Sequence, residues 1–167
     1  MTKARIAPAR TAPAAALIAL AFFAPEANGA KRDVVEPPHL SCTGAPNEVL
    51  VVVENVKESV GLITAELYRD DEETFLTKEG REQRMQVAAR SPRTEFCMHA
   101  PQATSYAMAI YHDENANMKF DKGAFGLPAE PYGVSNNPRM RFGPPKIAEA
   151  LFHVNGDGAT VEIKLNH

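Results

Sequence analysis

The chain reads as an all-β protein, an antiparallel β-sandwich of about seven short strands. Three observations predict it. Residues 62–68 and 104–111 alternate with period two, which sends one set of side chains inward and the other outward. Clusters of Gly, Pro, Asn, Asp and Ser separate the short apolar runs. No stretch sustains the 3.6-residue period of a helix.

In chain order, residues 49–53 (VLVVV) are mostly β-branched and predict the first strand. Residues 62–68 form the second, with Leu62, Thr64, Glu66 and Tyr68 on one face and Ile63, Ala65 and Leu67 on the other. Segment 54–61 between them predicts a hairpin turn. Residues 69–80 (RDDEETFLTKEG) are polar and acidic, with Phe75 and Leu76 as an apolar anchor and a short helical turn expected. Strands follow at 82–88 and 94–99, around the Ser91-Pro92 turn. In 104–111, Tyr106, Met108 and Ile110 share one face and Ala107, Ala109 and Tyr111 the other. A long run of loop character, 112–145, comes next. Residues 150–154 and 160–165 predict a closing hairpin across Asn155-Gly156-Asp157-Gly158.

The first 29 residues read as a secretory signal peptide. Lys3, Arg5 and Arg10 are basic, residues 14–24 are apolar, and Ala27 and Gly29 suit the −3 and −1 positions of a cleavage site. The apolar run is well short of the ~20 residues that cross a bilayer, and no later run could span one. Residues 30–47, with Pro37, Pro38 and Pro46, read as an extended arm, and 48–167 as a single domain. The expected location is periplasmic or secreted. The chain has a net charge of −3, and removal of the leader, which nets +2, leaves −5. That excludes nucleic acid as the expected partner, because phosphates demand a basic surface.

Cys42 and Cys97 are an even pair in a chain expected to reach an oxidising compartment, so a disulfide is predicted. It would pin the arm to the sheet. No CxxC pair marks a zinc site.

Segment 112–145 is the expected working face. Long loops that are ordered tend to carry function, and this one holds Phe120, Phe125, Leu127, Tyr132 and Phe142. Asp113, Asn115, Asn117 and Asp121 occupy positions one, three, five and nine of a calcium-type loop, with the Lys119 carbonyl at position seven. Position six holds Met118 in place of the usual Gly, and position twelve holds Ala124 in place of a bidentate Glu. The same residues fit an Asx-rich turn whose side chains cap its own backbone. His112, beside Asp113 and Glu114, could be drawn as an acid–base centre, but no nucleophile stands near it in sequence. His112, Tyr132, Asn136, Asn137, Arg139, Arg141 and Phe142 make the expected binding face for a partner or glycan, and the second half of the loop equally suits an ordered segment tied down through backbone carbonyls.

The segments YHDENANMKFD and FGLPAEPYGVSNNPRMRFGPP, with VLVVVENVKESVGLITAELY upstream, resemble the bacterial secreted family called domain of unknown function 2141. The resemblance extends over roughly residues 49–165. It implies an exported β-sandwich, immunoglobulin-like or prealbumin-like, and no established activity or catalytic residues. Met118 departs from the family's Gly at that position, and the Cys42–Cys97 pair resembles a subset of the family. The functional expectations rank in this order: a non-enzymatic module binding a protein or glycan of the envelope through 112–145, a calcium-stabilised module, and a hydrolase using His112.

Overall fold

Alternating side chains sort the chain into two sheets that close on one interior. The computed structural model describes residues 34–35, 41–140 and 143–167. The predicted leader and most of the arm lie outside the described residues, as do Arg141 and Phe142. Nine strands are described: β1 (Val34–Val35), β2 (Glu48–Glu54), β3 (Leu62–Arg69), β4 (Arg81–Ala88), β5 (Arg93–His99), β6 (Ser105–Asp113), β7 (Tyr132–Val134), β8 (Phe152–His153) and β9 (Ala159–Lys164). The larger sheet runs β1-β4-β3-β6-β7, with β8 also on β6, and the smaller runs β5-β2-β9. The architecture is the predicted sandwich, and most pairs are antiparallel. The β2–β9 and β1–β4 pairs are parallel.

The interior follows the period-two pattern. Val49, Val51 and Val53 of β2, Phe96 and Met98 of β5, and Val161 and Ile163 of β9 meet Ile63, Ala65 and Leu67 of β3 and Tyr106, Met108 and Ile110 of β6. Burying one such large apolar side chain stabilises the fold by about 1.5–3 kcal/mol. A second, smaller cluster lies on the outer face of the larger sheet. There Ile147 and Ala150 of a short helix, α1 (Ile147–Ala150), cover Ala107 and Val134.

Strand pairing departs from expectation in two places. Residues 49–53 and 62–68 do not form a hairpin: β2 pairs with β5 and β9, whereas β3 pairs with β4 and β6. Their connection crosses between sheets because Val56 dives into the core, 1% exposed, and donates its N–H to the Pro92 carbonyl at 3.1 Å. The predicted closing hairpin is likewise a crossover. Residues 147–150 are helical, β8 pairs with β6, and buried Val154 donates to the Thr104 carbonyl at 2.9 Å before the Asn155–Gly158 turn hands the chain to the smaller sheet.

Cys42 and Cys97 are joined, with Cα atoms 5.1 Å apart, and the bond fixes the chain ahead of β2 to β5 as predicted. Glu48 closes that turn by accepting the N–H groups of Thr43, Gly44 and Ala45 at 2.8, 2.8 and 3.1 Å. Among the described residues no helix is long and apolar enough to cross a membrane.

Candidate functional site

The outer face of the larger sheet carries a groove of about 850 Å³. Its floor is set by strand register. Glu66 and Tyr68 of β3 point outward, in phase with Ala109 and Tyr111 of β6. On β4, Arg81 and Arg84 are three residues apart, which in a regular strand would place them on opposite faces. A β-bulge resolves this. Glu66 pairs with Arg84, Leu67 with Gln83, and Tyr68 with Arg81, so the extra residue, Glu82, puts both guanidiniums on the groove side.

These groups form one network. Arg81 donates to Glu66 Oε1 at 2.5 Å, and the Tyr68 hydroxyl donates to Glu66 Oε2 at 2.6 Å. Arg84 Nη2 donates to the Tyr111 hydroxyl at 2.5 Å and to the Met118 carbonyl at 2.8 Å. Its Nε is buried with no hydrogen-bond partner, 3.6 Å from Glu66 Oε1. Burial, then the hydrogen bond to Glu66, pushes the Tyr68 phenol far above its ordinary range. Burial also raises Tyr111, against the pull of Thr64 and Arg84. Both phenols therefore stay neutral and serve as hydrogen-bonding groups. Lys78, Lys119 and Lys122 stand exposed at the rim, so the groove sets five basic side chains against the single carboxylate of Glu66. That local balance is opposite in sign to the chain's net charge of −3.

Aromatic rings run along the floor. Tyr111 and Phe120 lie 5.2 Å apart between centroids, and Phe120 and Tyr132 lie 6.0 Å apart. The Arg84 guanidinium is 6.0 Å from the Tyr111 ring centroid. The long segment supplies the walls. Met118, Leu127, Met140 and the 143–145 stretch all line the groove.

The predicted site residues separate into groups. Tyr132 is in the groove. Arg139 is exposed outside it. Asn136 and Asn137 are exposed, outside the groove, and tie the loop to neighbouring backbone. Asn136 Nδ2 donates to the Leu151 carbonyl at 2.7 Å, Asn137 Nδ2 donates to Glu162 O at 2.9 Å, and Asn137 Oδ1 accepts Lys164 N–H at 2.7 Å. Both take left-handed backbone, which Asn tolerates. His112 is fully buried and outside the groove. Its Nε2 lies 2.7 Å from the Val60 carbonyl and its Nδ1 3.8 Å from Glu114, so it braces β6 against the β2–β3 connection. It sits in phase with inward Tyr106, Met108 and Ile110, a signal already present in the alternation.

The loop after β6 wraps on itself. Buried Asp113 accepts Asn117 N–H on Oδ1 at 3.0 Å and Met118 N–H on Oδ2 at 2.7 Å. Asn115 Oδ1 accepts Asn117 N–H at 2.9 Å, and Asn117 Oδ1 accepts Lys119 N–H at 2.8 Å. Asp121 Oδ2 accepts the side-chain amides of both Asn115 and Asn117, at 2.8 and 2.7 Å. Met118 adopts φ 67°, the bend that normally calls for glycine. Residues 122–128 then form a small projecting finger. A bridge between Lys122 and Pro128 closes it, and Ala129 N–H bonds back to Asp121 O at 2.9 Å. Phe125 at its tip is wholly exposed.

The finger returns the chain so that Glu130, which a linear template cannot reach, meets Asp121. Glu130 is 7% exposed and its Oε2 accepts Asp121 N–H at 3.0 Å. Its Oε1 is buried without a partner. Burial, with the negative charges of Asp113, Asp121 and Glu114, raises its carboxyl above the usual range. Elsewhere among the described residues, Cys42, Glu48 and Cys97 bring ligand-type atoms within 4.8 Å of one another. The two sulfurs there are bonded to each other, so the grouping is a structural tie.

No curated protein and no solved structure matches this chain. A family model does match, over residues 51–162, a stretch that contains most of both sheets, the groove floor and the self-capped loop. The chain belongs to that bacterial family, described as "Uncharacterized protein conserved in bacteria (DUF2141)".

Proposed function

We propose that this is an exported, non-enzymatic module that captures an acidic glycan of the cell envelope in the groove on its larger sheet. The observation that carries the reading is the floor itself: paired guanidiniums beside a row of aromatic rings. Guanidinium forks match carboxylates bidentately. Aromatic faces pack against the apolar face of a sugar ring, and the exposed lysines at the rim draw a polyanion inward. The disulfide supports an oxidising compartment, periplasmic or extracellular. The hydrolase alternative required His112 in a cleft with a carboxylate, and a fully buried His112 braced on a backbone carbonyl gives it no support.

Calorimetric titration tests the reading with three probes: tetragalacturonate, its neutral methyl ester, and a tetraglutamate peptide. The acid sugar should bind, the ester should bind at least about tenfold more weakly, and Arg84→Gln and Tyr132→Ala should each weaken the acid sugar. Binding of the peptide alone, or equal binding of acid and ester, refutes the glycan reading.

A further inference from the structure

We propose that the Asp113–Asp121 loop, completed by Glu130, is a calcium site. The loop alone offers oxygens at alternating positions and lacks the distal carboxylate that such loops place at position twelve. Glu130 fills that role from outside the linear template. It is nine-tenths buried, one oxygen holds the Asp121 backbone, and the other is buried with no partner. A buried carboxylate oxygen without a donor is costly to maintain. A cation between it and the loop satisfies it.

The surrounding bonds fit the same place. Two amide NH₂ groups, from Asn115 and Asn117, donate to the single oxygen Asp121 Oδ2. They bring the positive ends of two dipoles where a hard cation would bring charge. Each Asx oxygen that caps a backbone N–H keeps a second lone pair for a metal. Three carboxylates with neutral amide and carbonyl oxygens in an irregular arrangement suit calcium over magnesium, which demands a near-ideal octahedron. The carboxylates of Asp113, Asp121 and Glu130 do not all lie within 4.8 Å of one another, so binding draws the loop inward. Met118, whose carbonyl accepts from Arg84, follows this contraction, so the metal firms one wall of the groove. Calcium binding is tested independently of glycan capture, because the metal alone is the probe.

The test titrates the leader-free protein, stripped with chelator, with calcium chloride by calorimetry, and measures thermal melts with calcium and with chelator. One calcium should bind per chain with a raised melting temperature, and Glu130→Gln should weaken it about tenfold or more while keeping the wild-type circular dichroism spectrum. No heat and no shift at about 10 mM calcium, roughly ten times the weakest affinity of extracellular calcium modules, overturns the site. Wild-type affinity in Glu130→Gln also overturns it. Should Glu130→Gln fail to fold, terbium luminescence of Asp121→Asn decides: loss of binding supports the site and undiminished binding overturns it.

Discussion

Removing the Cys42–Cys97 bond by the double replacement Cys42→Ser, Cys97→Ser should cost about 4 kcal/mol. The bond closes a loop with a sequence separation of 55. In the chain-entropy model a loop of that size restricts the unfolded state by roughly 14 cal/mol/K, or about 4.2 kcal/mol at 25 °C. The folded state loses little, because both positions are only partly buried and Glu48 keeps the adjacent turn closed through its hydrogen bonds to Thr43, Gly44 and Ala45. With a urea slope of about 2 kcal/mol/M, the midpoint should fall by roughly 2 M. Urea unfolding followed by circular dichroism reads this directly, with the reduced wild-type protein as a second comparison. Groove binding should survive in the folded variant, since Cys97 belongs to the smaller sheet. A loss below about 1 kcal/mol would refute the assignment of this bond as the clamp on the arm.

Phe96→Ala should destabilise by about 3–5 kcal/mol in the same assay, because Phe96 is 1% exposed in the shared interior of the two sheets. Gly61→Ala should cost at least about 2 kcal/mol, since φ is +66° there and a Cβ would stand 2.0 Å from the Asp113 carbonyl oxygen. Its calcium response, measured by thermal melts, should weaken with the displaced Asp113. The Asp71 carboxyl is held below its usual range by the Thr74 hydroxyl and then the Glu73 N–H. Folding therefore favours its ionised form, and the stability it contributes is present above the ordinary aspartate pKa of 3.8 and is lost as pH falls through the lowered folded value. Asp71→Asn should flatten the stability-against-pH profile below about pH 4, and an unchanged slope would count against that hydrogen-bonded turn.

Much of the fold was legible because period-two alternation is a local property. The outward and inward sets of β3 and β6 could be read from residues 62–68 and 104–111 alone. Pairing could not, because it depends on where a connection goes. The composition of 54–61 predicts a hairpin turn, but Val56 lies in the core and carries the chain to the other sheet. The site was legible only in part. Phe120 and Tyr132 lie in the long aromatic-bearing segment, but the placing of both guanidiniums on the floor depends on the bulge at Leu67/Tyr68, which sequence spacing hides. Glu130 was hidden for a related reason: it lies nine positions after Asp121 in sequence, and only the folded finger brings them together. His112 was the reverse case. Its phase with Tyr106, Met108 and Ile110 marks it as interior, whereas its acidic neighbours suggest chemistry.

The most direct test is an amide and side-chain NMR titration of the protein with tetragalacturonate. The account predicts saturable shifts at Arg81, Arg84, Tyr111, Phe120 and Tyr132, with the outward residues of the smaller sheet, such as Glu95 and Thr160, unmoved. Shifts confined to the smaller sheet, or none at saturating sugar, would contradict it.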